Sequence, residues 1–85
     1  MRIERSFRGI SVRLARIYLE NLGGEVVDET TVEGPDWTAD LSAETVGIGP
    51  SLELTEVTVV LTGDDEETLE TLEERFEQKA IRAGG

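Results

Sequence analysis

The chain has 85 residues, with 19 Asp or Glu against 8 Lys or Arg, no Cys, no His, and a net charge of −11. This length predicts a single domain, residues 1–85, that buries only about 60–65% of the surface its unfolded form exposes. The absence of Cys excludes disulfides, and the absence of both Cys and His argues against zinc, iron–sulfur and haem sites. We therefore expect added stability to come from a homodimer.

The charges are segregated along the chain. Between Ile17 and Glu74 there are 17 acidic residues and no Lys or Arg, whereas the first 16 residues hold five of the seven arginines. This composition is typical of cytosolic proteins from halophilic microbes, because salt screens the repulsion between carboxylates. An ordinary acidic protein is the alternative. With no secretory leader pattern and no long apolar run, we expect a cytoplasmic protein outside the membrane.

The first two elements are a strand and a helix. Apolar and polar residues alternate loosely in Met1–Phe7, which predicts a strand ending at Gly9. Ser11 is a suitable N-cap for a helix that runs to about Leu22, and Gly23-Gly24 supplies the stop.

Four short β segments follow in the middle of the chain. Turn residues at Gly34-Pro35 and Gly49-Pro50 separate them. In the last segment, Leu52 and Leu54 are out of phase with the later apolar positions, which predicts a bulge near Thr55-Glu56. The predicted strands are 25–32, 36–43, 45–48 and 52–61.

The last element is an amphipathic helix. Acidic residues at Gly63–Glu67 suit its N-terminus, and Leu69, Leu72, Phe76 and Ala80 lie on one face. The predicted order is β-α-β-β-β-β-α. Each helix has one apolar stripe, so we expect an α+β, two-layer fold with both helices on one face of an antiparallel sheet.

This order resembles the TATA-box-binding-protein-like folds. Within that group the chain most resembles the C-terminal domain of MoaD-related proteins, which are similar to the small subunit of molybdopterin synthase. The segments that carry the resemblance are Met1–Gly9 leading into Ser11–Gly24, then Asp36–Leu41 and Leu69–Gly85. The resemblance implies a link to sulfur-carrier or molybdenum-cofactor pathways and brings no catalytic motif. The β-grasp domain that precedes this domain in the family is not in this sequence.

The N-terminal arginines are the candidate site for an anion. Arg8, Ser11 and Arg13 lie at the strand-to-helix junction, where guanidinium groups and free N–H groups can hold a phosphate or carboxylate. The alternative is that these arginines neutralise nearby acids, with Arg8 near Asp40 or Glu56. We favour this alternative in so acidic a protein.

Nucleic acid is not an expected partner. A DNA-binding protein of this fold group uses its open sheet face, but the middle strands here carry acids and no cation. Phosphate contacts need cations, so the predicted sheet would repel a duplex.

The chain ends in Ala83-Gly84-Gly85, which is similar to the tail of ubiquitin-like modifiers and sulfur carriers. In those proteins the terminal carboxylate is activated, so Gly85 is the candidate site of conjugation or thiolation. In this chain a helix precedes the tail where those proteins have a strand. The simpler interpretation is glycine as a helix stop.

The sequence offers few groups for catalysis or metal binding. Without His or Cys, a general base would have to be a carboxylate, Tyr18 or Lys79 with a strongly shifted pKa. Gly47–Ser51 lacks the lysine of a phosphate-binding loop and is interpreted as a turn, and Asp64–Glu67 lacks EF-hand spacing. We expect neither an enzyme nor a resident metal or cofactor.

These observations favour a small protein–protein interaction module, expected to be a homodimer with an unidentified protein partner. One alternative is a modifier or sulfur carrier that acts through Gly84-Gly85. The other is an anion or small-ligand binder that uses the N-terminal arginines.

Overall fold

Five strands and two helices follow one another in the predicted order. The computed structural model describes the backbone of residues 1–84 and the side chains of all of these except Ile48 and residues 82–84. The elements are β1 (Arg2–Arg8), α1 (Val12–Asn21), β2 (Glu25–Asp28), β3 (Thr31–Glu33), β4 (Trp37–Gly49), β5 (Leu52–Gly63) and α2 (Glu66–Gly84). The predicted α+β class and the element order β-α-β-β-β-β-α are confirmed.

All neighbouring strands are antiparallel, in the spatial order β1-β5-β4-β3-β2. β1 and β2 are consecutive in the chain but lie at opposite edges of the sheet. The helix α1 connects them and crosses β4, β3 and β2 on one face, while α2 covers β1 and β5 on the same face. The predicted two-layer arrangement is therefore present, and the other sheet face is uncovered.

The core lies between the two helices and the covered sheet face. Phe76 of α2 is 1% exposed and is the largest fully buried side chain of the core among the described residues. Its ring centroid lies 5.1 Å from that of Phe7 and 5.9 Å from that of Tyr18, so β1, α1 and α2 meet at this ring. The other core residues come from alternate strand positions and the apolar helix faces, for example Ala15, Leu19, Val32, Leu41, Val57, Val59, Leu61, Leu69 and Leu72.

The helix ends follow from local chemistry. The Ser11 hydroxyl accepts a hydrogen bond from the Leu14 N–H at 3.1 Å, which makes Ser11 the N-cap of α1 as predicted. Gly23 has φ of +104°, a conformation that favours glycine and ends the helix. At the start of α2, Asp65 accepts hydrogen bonds from the Glu67 N–H and the Thr68 hydroxyl.

Two strand boundaries and the bulge were predicted wrongly. The segment 25–32 is a hairpin of β2 and β3, because Asp28 accepts a hydrogen bond from the Thr30 N–H and turns the chain. The segments 36–43 and 45–48 form the single strand β4. The register of β4 and β5 is regular at Thr55 and shifts between Gly47 and Gly49 instead.

The hairpin of β4 and β5 is longer than its neighbours. β1 ends where Arg8 pairs with Glu56, and β3 pairs with β4 no further than Asp40. Residues 44–55, here called the hairpin arm, therefore extend beyond the helix-covered part of the sheet, here called the body. The molecule measures 43 × 23 × 21 Å as a result. Across the described residues, neither helix combines the length and apolar character needed to span a membrane.

Candidate functional site

The predicted anion-binding residues lie near the end of β1 and the start of α1. The Arg8 Nε donates to Glu56 at 3.0 Å across the sheet, and the Ser11 hydroxyl caps α1. Arg13 is exposed and makes no ion pair with any residue that the structure describes. Two of the three predicted residues thus already have partners, and the pairing of Arg8 with Glu56 is the neutralisation that the sequence favoured.

Three other arginines also have partners. Arg5 lies on the helix-covered face and donates to Glu73 of α2 at 2.9 Å, and this hydrogen bond raises the pKa of Arg5. Arg2 pairs with the neighbouring Glu4 at 3.0 Å. Arg16 donates to the backbone carbonyl of Glu29 in the β2–β3 turn. Arg5 and Arg16 thus connect separate elements of the body, whereas the Arg2–Glu4 pair lies within β1.

The uncovered sheet face is acidic and rich in hydroxyl groups. Strand alternation and the register place Ser6, Thr58 and Ser42 in one row, and the Ser6 and Thr58 hydroxyls are 3.0 Å apart. The acidic strand residues on this face are Glu4, Glu25, Glu33, Asp40, Glu44 and Glu56, and they outnumber its two cations, Arg2 and Arg8. Such a surface repels a phosphate backbone.

A cavity of about 660 Å³ lies at the end of the sheet opposite the arm. Gly34, Pro35 and the 6%-exposed Trp37 line it together with four acids, Glu33, Asp36, Asp64 and Asp65. Among the residues that the structure describes, no three carboxylates converge closely enough to hold a metal ion. The cavity is an open acidic depression beside the core tryptophan.

The outer edge of β4 in the hairpin arm presents free backbone groups. The Trp37 carbonyl accepts from Gly34, and the Leu41 N–H donates to the Thr30 carbonyl, so odd-numbered residues of β4 point their backbone groups away from β5. Backbone direction alternates along a strand, and the next outward residues are therefore Ala43, Thr45 and Gly47. Because β3 pairs only with residues 38–40, these groups have no strand partner in the described part of the chain.

The side chains of the arm are largely apolar or small. Leu52 is 56% exposed, and Val46 and Leu54 are half-buried. These three lie on the uncovered face, since Val46 pairs with Leu54 in the register. The only charged residues of the arm are Glu44 and Glu53. The arm therefore carries only these two charges in its twelve residues, in a chain with net charge −11.

Only part of the candidate site at the C-terminus, Gly84-Gly85, lies within the described residues. Helix α2 continues to Gly84, so the residue before the proposed conjugation site is helical. Gly85 itself lies outside the described residues. Its conjugation or thiolation stays a prediction.

The arm is the feature that sequence reasoning missed. The predicted strands divide β4 at Glu44, although β-branched Thr45 and Val46 continue the strand pattern toward Gly47. The sequence signal for a long hairpin was present in the unbroken run from Trp37 to the Gly49-Pro50 turn. The sequence does not show that the neighbouring strands stop short of it.

The fold and this arm define a small α+β protein with a closed body and an exposed β-hairpin. The family model described as archaeal MoaD-like protein matches residues 3–85. The chain therefore belongs to the archaeal MoaD-like family, in agreement with the MoaD-related resemblance. No curated protein matches the sequence.

Proposed function

We propose that this protein is a cytoplasmic, non-catalytic interaction module that works as a homodimer and contacts other proteins through its hairpin arm. The observation that carries the proposal is the projection of residues 44–55 beyond the body with strand edges unpaired in the described structure. Exposed strand edges bind other polypeptides through main-chain hydrogen bonds.

The chemistry of the remaining surface supports this function. Most large apolar residues of the body are buried in or packed against one core, and four of its arginines make the contacts described above. The uncovered face is acidic, which disfavours nucleic acid. A module that works through backbone pairing and a few apolar side chains needs neither His nor Cys.

A shortened arm tests the proposal. In the variant, residues 45–55 are replaced by Asn-Gly, which joins Glu44 to Glu56, a hydrogen-bonded pair of β4 and β5, with a two-residue hairpin turn. These two residues already pair in the register, so the body should keep its fold. We expect the wild-type protein to bind partners in pull-downs in molar salt and the shortened variant to lose them. Equal partner binding by a folded shortened variant would contradict the proposal.

A second candidate function is that of a sulfur-carrier-like protein. The family match, which extends through Gly84-Gly85, supports this function. In this function the terminal carboxylate would be activated and conjugated or thiolated, which links the protein to sulfur-carrier or molybdenum-cofactor pathways. Trypsin cleaves after Arg82, so a conjugate would leave Ala-Gly-Gly on lysines of target proteins. Complete absence of this remnant from enriched lysates, together with an unmodified terminus in the purified protein, would rule the candidate out.

A further inference from the structure

We propose that the free outer edge of β4, residues 42–49, which begins beside the hairpin arm and continues into it, pairs with the same edge of a second copy of this chain. This inference rests on the proposed function and names the partner and the seam. The two sheets would join into one continuous sheet across an antiparallel seam, related by a twofold axis.

The backbone geometry provides the hydrogen bonds for this seam. Ala43, Thr45 and Gly47 point their N–H and carbonyl groups away from β5 and have no strand partner among the described residues. Antiparallel strands exchange hydrogen bonds at alternate residues, which is the spacing of these three positions. A second copy presents the same three residues in the same spacing.

The charge distribution distinguishes this edge from the outer edges of the sheet. The edge strand β1 carries Arg2, Glu4, Arg5 and Arg8, and the edge strand β2 begins at Glu25 and ends at Asp28. These charges disfavour the addition of another strand at either edge. Residues 42–49 of β4 contain one charged residue, Glu44. A strand edge with so little charge in such an acidic chain is suited to pairing.

The twofold register that uses all three outward residues is centred on Thr45. In this register Thr45 faces Thr45 of the partner subunit, and Ala43 faces Gly47 of the partner subunit. Glu44 then faces Val46 of the partner subunit, so the two Glu44 carboxylates are not directly opposed. Thr–Thr pairs across strands are favourable, and directly opposed like charges are not. The seam cannot extend as far as Asp40, because β4 pairs with β3 there.

The salt dependence separates a second copy from a basic partner strand. Two copies, each with net charge −11, repel each other, and salt shortens the screening length from about 10 Å at 0.1 M to about 3 Å at 1 M. Self-association through this edge should therefore strengthen as salt is raised. Binding of a basic partner strand would instead weaken as salt is raised.

A single cysteine tests the seam, because the native chain has none. Hydrogen-bonded antiparallel pairs have Cα atoms about 5.5 Å apart, within the range of about 4.4–6.8 Å that a disulfide spans. The Thr45→Cys variant should form a disulfide-linked dimer under mild oxidation in molar salt. Thr55→Cys, at the cross-strand position on the other edge of the arm, is the matched control and should link at least tenfold more slowly.

The association itself is measured by light scattering on the wild type and two proline variants. Thr45→Pro removes an outward N–H from the seam and should weaken the dimer about tenfold or more, whereas Thr55→Pro should leave it intact. A wild-type monomer at all salt concentrations, or equal cross-linking at positions 45 and 55, would overturn the inference. Partner loss in the shortened-arm variant would still support the proposed function in that case, so the two failures are distinguishable.

Discussion

The body and the hairpin arm use the same sheet in different ways. In the body, the strand residues Val32, Val57 and Val59 are buried in one core with Phe76 and Leu69 of α2. In the arm, no third strand joins β4 and β5 among the described residues, and Leu52 remains exposed. The burial of apolar side chains in the body therefore accounts for the stability of the fold, while the arm contributes strand edges that lie outside the core.

The largest expected effect comes from removing the central ring of the body. Phe76→Ala should lower the free energy of unfolding by about 3–5 kcal/mol, because it leaves a cavity between α1, α2 and β1. Urea unfolding measures this loss. A loss below about 1 kcal/mol would show that the core is not organised around this residue.

A pair of glycine variants compares close packing in the two regions. A Cβ on Gly34 would overlap the buried Trp37 ring, so Gly34→Ala should cost about 1–3 kcal/mol. A Cβ on Gly49, in the arm, would meet nothing within 4 Å. Gly49→Ala should therefore be neutral or stabilise by up to about 1 kcal/mol.

Thermal unfolding of the two variants gives both values. Equal destabilisation would contradict the contrast between a packed body and an open arm.

A smaller, pH-dependent effect is expected at the β2–β3 turn, where the body borders the arm. The Thr30 N–H donates to Asp28 at 2.8 Å, and this bond lowers the pKa of Asp28 below its ordinary value of 3.8. A lowered pKa means that the carboxylate stabilises the fold fully above about pH 4, and this contribution is lost as the pH falls through the lowered pKa.

Asp28→Asn keeps an acceptor oxygen without the charge. The Tm of the wild type should therefore fall relative to that of Asp28→Asn as the solution is acidified below pH 4. A constant difference in Tm across this range would show that the turn does not depend on the charge of Asp28.

The smallest effect is expected for an apolar side chain of the arm. Leu52→Ala should change the free energy of unfolding of the monomer by less than about 0.5 kcal/mol, because Leu52 is already 56% exposed. Urea unfolding at low protein concentration measures this value. A loss as large as that of Phe76→Ala would mean that the arm is part of the folded core.

Local patterns predicted the two helices of the body correctly. Ser11 identified the start of α1, and the spacing of Leu69, Leu72 and Phe76 identified the buried face of α2. Both depend on neighbours within a few residues. The β2–β3 hairpin was missed because its turn is closed by Asp28 and Thr30 without glycine or proline.

The candidate site was harder to predict for a physical reason. An exposed strand edge is defined by the lengths of its neighbours, and β1 and β3 end where tertiary pairing ends. The positions of Arg8 and Glu56 in the sequence similarly do not reveal that their side chains meet at 3.0 Å. The family match shows which family the chain belongs to, and the arm is the surface for which a function is proposed.

Amide hydrogen exchange at the two edges of the arm tests the central claim most directly. The amides of Ala43 and Thr45 point outward from β4, and the Thr55 amide serves as the reference on the opposite edge. The account predicts that protection at Ala43 and Thr45 rises with protein concentration in molar salt, while protection at Thr55 does not. Rapid exchange at Ala43 and Thr45 at every concentration would contradict it.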